Sequence, residues 1–148
     1  MPYAWQPKGE TIEIPSSKST RINVLGFFNT DNKLESYIFK GAVDSDVVIA
    51  CFDSFSDTIT KKTVVVIDNA PTHTSNAFNA NIKKWEKNGL FIKRLPPYSP
   101  ELNIIEILWR FIKYQWLPFS AYNSLKDLAN EVENVLINVG DKFKIKFA

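Results

Sequence analysis

Asp68 and Glu106 are the two residues whose types and setting point most directly to chemistry. Asp68 closes a short apolar run, Val64 to Ile67, and Glu106 lies in a helix-forming stretch launched by the Pro-rich turn Pro96-Pro97-Tyr98-Ser99-Pro100. Two carboxylates delivered by different elements can share a hard divalent cation. Such a site uses one or two carboxylates with water and substrate phosphate oxygens, and a pair of such ions clamps an in-line phosphoryl displacement. Rival chemistries lack their parts. There is one histidine, His73, so a Cys/His zinc site is not available, and neither a Gly-x-x-x-x-Gly-Lys phosphate loop nor a Gly-x-Ser-x-Gly elbow occurs. Each acid also has a plain reading. Asp68 before Asn69 and Pro71 is a turn former, and Glu106 with Arg110 four residues on is an ordinary helix-surface pair. His73 reads as a loop-ordering or phosphate-contacting residue.

The elements that must position these acids follow from pattern and punctuation. Thr20 to Phe28 and Ser36 to Lys40 are rich in β-branched and aromatic residues and flank Asn29-Thr30-Asp31-Asn32, which predicts a hairpin. Asp44 or Ser45 caps a helix to about Phe55, with Val47, Val48, Cys51, Phe52 and Phe55 at helical spacing. Thr63 to Ile67 reads as a strand buried on both faces. Thr74 or Ser75 caps a helix through about Asn88, ended by Gly89, and Leu90 to Leu95 gives another strand. Ser99 and Pro100 start the helix of Glu106, whose apolar stripe is Leu102, Ile105, Leu108 or Trp109, Ile112 and Trp116. Pro118 ends it, and Ser124 starts a last helix to about Val139. The first eighteen residues read as an irregular segment with at most a short strand at Thr11 to Ile14. This order predicts an α/β layered domain, a mixed sheet with flanking helices.

The bulk numbers agree with one domain over residues 1–148. With 45% hydrophobic and 23% charged residues the chain can bury a core, and it lacks repeats and low-complexity tracts. A lone Cys51 among apolar neighbours reads as a small buried hydrophobe in a reducing compartment. No apolar run reaches the ~20 residues of a membrane span, so no membrane partner and a cytoplasmic location are expected. The net charge of +2 does not by itself declare a nucleic-acid partner. Clustering is more informative: Lys83, Lys84, Lys87, Lys93 and Arg94 face one acid, Glu86, and the tail adds Lys142, Lys144 and Lys146. These form either a phosphate-binding stripe or a solvated helix face with a frayed basic end.

The blocks VVVIDNAPTH (64–73) and LPPYSPELNIIEILWRFIK (95–113) resemble the second half of the catalytic region of DDE transposases of the mariner-like insertion-sequence group. Tyr3 to Gly9 is similar to the segment after that family's first strand. The resemblance implies an RNase H-like fold and Mg²⁺-dependent (or Mn²⁺-dependent) DNA cleavage and strand transfer at a two-metal site, with Asp68 and Glu106 as catalytic, metal-binding acids and Asn103 before the Ile-Glu pair. DNA, as transposon ends and target, is the implied partner, and His73, Lys93, Arg94, Arg110 and Lys113 are the candidate residues to contact it. A dimer and a nucleoid-associated, bacterial-type location are compatible with it. The family's first aspartate lies on a strand upstream of the Trp-x-Pro-x-Gly segment, and Met1 stands four residues before Trp5. The expectation is therefore an RNase H-like sheet lacking its first, central strand and the preceding helix-turn-helix. This chain alone is then expected to be inactive, with unpaired strand edges and an upstream segment needed to complete it. Two other readings stay open: a non-catalytic nucleic-acid-binding module, and an interaction domain in which both acids are structural.

Overall fold

A computed structural model describes residues 21–147, and the segments Tyr3–Gly9 and Thr11–Ile14 lie outside them. The described chain is mixed α/β and divides into two compact units, residues 21–42 with 104–147 and residues 43–103.

In the first unit, strands β1 (Ile22–Phe28) and β2 (Leu34–Lys40) pair antiparallel, from Ile22 opposite Lys40 to Phe28 opposite Leu34. The hairpin turn is closed by the Asn29 side chain, whose Oδ1 accepts from the backbone N–H groups of Asp31 and Lys33. This is the turn chemistry expected of Asn. Helix α5 (Ile104–Phe111) and helix α6 (Leu125–Asn138) pack with the hairpin around Leu34, Ile38, Leu108, Ile112, Val132, Val135, Leu136 and Val139. Ser124 caps α6 by accepting from the N–H of Asp127. Gly26 of β1 allows close approach: a Cβ there would meet Leu34, Trp109 and Ile105 at 3.1–3.3 Å.

The C-terminal segment is tied down rather than frayed. Asn32 donates to the carbonyl of Ile145 at 2.9 Å and accepts from its N–H at 2.7 Å, and Ile145 is buried. These two bonds act like one rung of a ladder and keep the last basic residues beside the hairpin turn.

In the second unit, helix α1 (Ser45–Thr58) is capped by Asp44, and strands β3 (Thr63–Ile67) and β4 (Leu90–Arg94) pair parallel. Phe52, Phe78 and Trp85 form its aromatic core, with ring centroids 4.9–5.1 Å apart. Trp85 is fully buried and its indole N–H donates to Asp53 Oδ1 at 2.8 Å. Cys51 is buried, and burial pushes its thiol up to about 12.

Two expectations fail in this unit and a third changes at its edge. The helix predicted from Thr74 or Ser75 to Asn88 is two short pieces, α3 (Asn76–Asn79) and α4 (Ile82–Lys87), preceded by a separate turn, α2 (Pro71–Thr74). Ser75 is extended and caps α3, while the Asn79 and Asn81 side chains donate to the carbonyls of Thr74 and Ala77. Asparagine competes with the helix ladder in this way. Gly89, with φ +89°, does end the run. Strand β3 is not buried on both faces: Thr63, Val65 and Ile67 turn inward, whereas Val64 and Val66 are about half exposed. Among the described residues β3 pairs only with β4. Finally, the Pro-rich turn does not lead straight into α5. Ser99 Oγ donates to the Pro97 carbonyl, a 3-10 turn covers Pro100–Leu102, and the α-helical ladder begins only at Ile104.

Candidate functional site

Asp68 stands one residue past β3, and its loop is held from several sides. Its Oδ1 accepts from the N–H of Ala70 at 3.0 Å, an Asx turn that aims the chain into α2. Pro71 opens α2, where its missing N–H costs nothing. One turn later the His73 ring returns, with Nδ1 2.9 Å from Asp68 Oδ1 and 3.3 Å from the Asp68 carbonyl oxygen. Both neighbours of Nδ1 are acceptors, so this nitrogen carries a proton, and Nε2 is the ring atom left for another partner.

A second layer supports the imidazole. Arg94, the last residue of β4, donates from Nη1 to the His73 carbonyl at 2.7 Å and from Nη2 to Asn79 Oδ1 at 2.9 Å. Its guanidinium carbon lies 5.8 Å from the Phe78 ring centroid, and His73 lies at the same separation from that ring. Asn69 donates to the Leu95 carbonyl, and Leu95 N–H donates to Ile67, which extends the parallel ladder past the strand ends. The consequence is a carboxylate with one oxygen fixed and the other open. The Asp68 side chain is 48% exposed while His73 is 17% exposed, and Oδ2 has no hydrogen bond among the described residues.

Glu106 sits in the first turn of α5, where a negative charge suits the helix N-terminus. It is exposed, as are Arg110 and Lys113, and no ion pair links it to Arg110 among the described residues. The plain surface pair that the spacing allows is therefore not formed. Lys93 points outward from β4, directly across from Val66 on the open face of the β3–β4 pair.

The structure thus gathers Asp68, His73 and Arg94 into one network and strings Glu106, Arg110 and Lys113 along one helix, in different units. Among the described residues no three His, Cys, Asp or Glu side chains form a metal-holding group. Oxygen-only donors with a free carboxylate oxygen match the preference of a hard divalent cation, so the donor chemistry fits such an ion. Sequence reasoning missed Asn79 and Asn69 as supports, since nothing local marks an Asn that bonds 15 or 26 residues away.

A family model described as DDE superfamily endonuclease matches residues 1–129. The chain belongs to the DDE superfamily endonucleases. Membership points to transposase-type nuclease chemistry on DNA, and enzymes of this superfamily generally use divalent metal ions. Their fold is RNase H-like, in keeping with the mixed α/β elements seen here. Comparisons with curated proteins and with solved structures gave no match. In this DDE endonuclease, no helix among the described residues is long and apolar enough to cross a membrane.

Proposed function

We propose that this chain is the C-terminal part of the catalytic domain of a mariner-like insertion-sequence transposase, and that it brings Asp68 and Glu106 to a centre that cuts and joins DNA strands. The observation that carries the reading is Asp68 itself: a strand-end carboxylate with one oxygen ordered by His73 and Ala70 and the other open, inside a DDE family match. Mg²⁺ or Mn²⁺, when bound, supplies Lewis-acid activation and offsets charge on the scissile phosphate. Asp68 and Glu106 are the residues that would hold it. His73 keeps Asp68 oriented, and Arg94, its fork occupied by His73 and Asn79, contributes by bracing that loop beside the DNA. Lys93, Arg110 and Lys113 contact phosphates, where each cation lowers affinity's tolerance of salt.

The family's first aspartate comes, in this reading, on a strand from outside the described residues. The strand pairing supports it, because β1–β2 and β3–β4 are separate two-stranded sheets and β3 has an unpaired edge among the described residues. In this reading an upstream segment is the source of that strand. Without it, cleavage by Asp68 and Glu106 is negligible.

The test is the melting temperature of the chain with and without Mn²⁺, together with nicking of supercoiled DNA. Binding to the folded state raises the melting temperature by mass action. The rise should vanish in Asp68→Ala and shrink in Glu106→Ala, and nicking should appear only when the acid-bearing strand is supplied. An identical Mn²⁺ response in wild type and both variants would refute the reading. A second reading, a non-catalytic nucleic-acid-binding module, is favoured by the exposure of Lys83, Lys87 and Lys93. It predicts salt-dependent DNA binding that is unaffected by Asp68→Ala but weakened by Lys93→Ala.

A further inference from the structure

Beyond Arg110 the helix that carries Glu106 changes character. Its last turn, Ile112–Trp116, is a π turn closed by the N–H of Leu117 on the Ile112 carbonyl at 3.0 Å. The inner side of this wide turn is anchored: Ile112 is buried, and Trp116 lies between Phe111 (5.3 Å) and Phe143 (5.0 Å). Its outer side therefore pushes Lys113 and Tyr114 into solvent, and Tyr114 is 80% exposed. After Pro118 a 3-10 turn, Phe119–Asn123, doubles back, pinned by the fully buried Ala121. Side chains three apart in a 3-10 turn eclipse one another, which places Phe119 and Tyr122 on one side of it. Phe119 is 96% exposed and Tyr122 57%. Tyr122 Oη donates to the Lys113 carbonyl at 3.3 Å, so the two turns are joined.

Three exposed rings on anchored turns are unusual for a surface with no partner. The charge pattern says which partner. From Ile107 to Lys126 there are three cations, Arg110, Lys113 and Lys126, and no acid. A polyanion with flat apolar faces suits both properties, and only unpaired bases expose such faces, since a duplex hides them in its stack. Aromatic rings beside a basic track are how single strands are held without sequence preference. Tyr114 follows Glu106 by eight residues, about two turns further along the same helical run. We propose that Tyr114, Phe119 and Tyr122 form a stacking platform for unpaired DNA bases, with Arg110, Lys113 and Lys126 on the phosphates. That the held strand is the one processed at Glu106 rests on the nuclease reading; the platform itself does not.

The test is binding of the full chain, without divalent metal, to a short single-stranded oligodeoxynucleotide carrying 2-aminopurine, with the matching duplex alongside. Phe119→Ala and Tyr114→Ala should each weaken single-strand binding about five- to a hundredfold and remove the 2-aminopurine quenching, while duplex binding changes little. Phe119→Tyr and Tyr114→Phe should bind as wild type. The proposal is overturned if wild type does not bind the single strand, if the alanine variants bind it normally, if both DNA forms weaken equally, or if the variants only turn a dimer into a monomer. Nicking that never appears even when the acid-bearing strand is supplied, with stacking intact, would instead refute the nuclease reading alone.

Discussion

Replacement of His73 tests whether Asp68 is held or merely present. In His73→Ala the carboxylate loses a hydrogen bond to its Oδ1 at 2.9 Å and keeps only the Ala70 N–H. A hydrogen bond to a charged group is worth ~1.5–3 kcal/mol when buried. The Asp68 side chain is 48% exposed, so solvent replaces part of that bond and about 1 kcal/mol remains. Loss of the ring against Phe78, 5.8 Å away, adds about 0.5 kcal/mol. The sum, about 1.5 kcal/mol, lowers the melting temperature by roughly 3–6 °C for a chain of this size. The carboxylate's partner also tunes metal affinity, and supporting residues of this kind are worth about tenfold or more. The discriminating variants are His73→Asn, whose amide nitrogen falls near Nδ1, and His73→Gln, whose amide reaches toward Nε2. Asn should restore most of the stability and Mn²⁺ affinity, and Gln should not. Long-range ¹H–¹⁵N spectra should show the neutral ring protonated at Nδ1 in wild type, with that preference weakened in Asp68→Ala. A wild-type ring protonated at Nε2, or Gln rescuing as well as Asn, would refute the reasoning.

Asp68→Glu should abolish the Mn²⁺-induced rise in melting temperature as fully as Asp68→Ala, because the longer side chain breaks the Asx turn with Ala70; Glu106→Asp, on an open helix face, should retain part of it. Gly26→Val should cost about 2–3 kcal/mol by overpacking Leu34, Trp109 and Ile105, read from the urea midpoint, and Ile105→Val in the same chain should recover part of it. Trp85→Phe should cost about 2–3 kcal/mol, from the cavity left by the fully buried indole together with the lost bond to the half-exposed Asp53, whereas Lys84→Ala, which removes the exposed ion pair to the same carboxylate, should cost under ~1 kcal/mol; equal costs would count against the role of the indole. Cys51 is raised from 9.0 to about 12, so the folded state favours the neutral thiol; its contribution is complete below pH 9 and is lost as pH climbs toward 12. Native protein at pH 8 should resist iodoacetamide and become labelled only in denaturant, and Cys51→Ala should flatten the alkaline fall in stability.

What the sequence makes legible is what is local. Asp44 and Ser124 cap helices through bonds three residues away, and Thr63 to Ile67 and the Asn29 turn are decided by neighbours. The blocks around Asp68 and Glu106 also survive as local text, and they carried the family. Illegible features depend on distant partners or on close competition. Arg94 reads as a free cation until Asn79 and the His73 carbonyl are found beside it, and the basic tail reads as frayed until Asn32 is found bonding Ile145. The break of the 74–88 helix turned on the Ser75 cap and on Asn side chains that bond carbonyls of the preceding turn. The exposed valines of β3 could not be foreseen either, because an unbroken Val run is compatible with one covered face or two.

The two acids that begin as a matched pair are physically unlike. Asp68 is ordered before any ligand arrives: its turn, its histidine and the arginine behind that histidine have already met the cost of fixing one oxygen. Glu106 has a longer side chain, lies in the open and forms no bond among the described residues, so a cation would have to order it. Freezing a glutamate side chain costs up to about 1.5–2 kcal/mol. Affinity should therefore reside mainly with Asp68, while Glu106 responds to what is bound. Its neighbours along α5 and the π turn that follows agree with such a role, since Arg110, Lys113 and Tyr114 are equally exposed and able to follow a strand laid along that face.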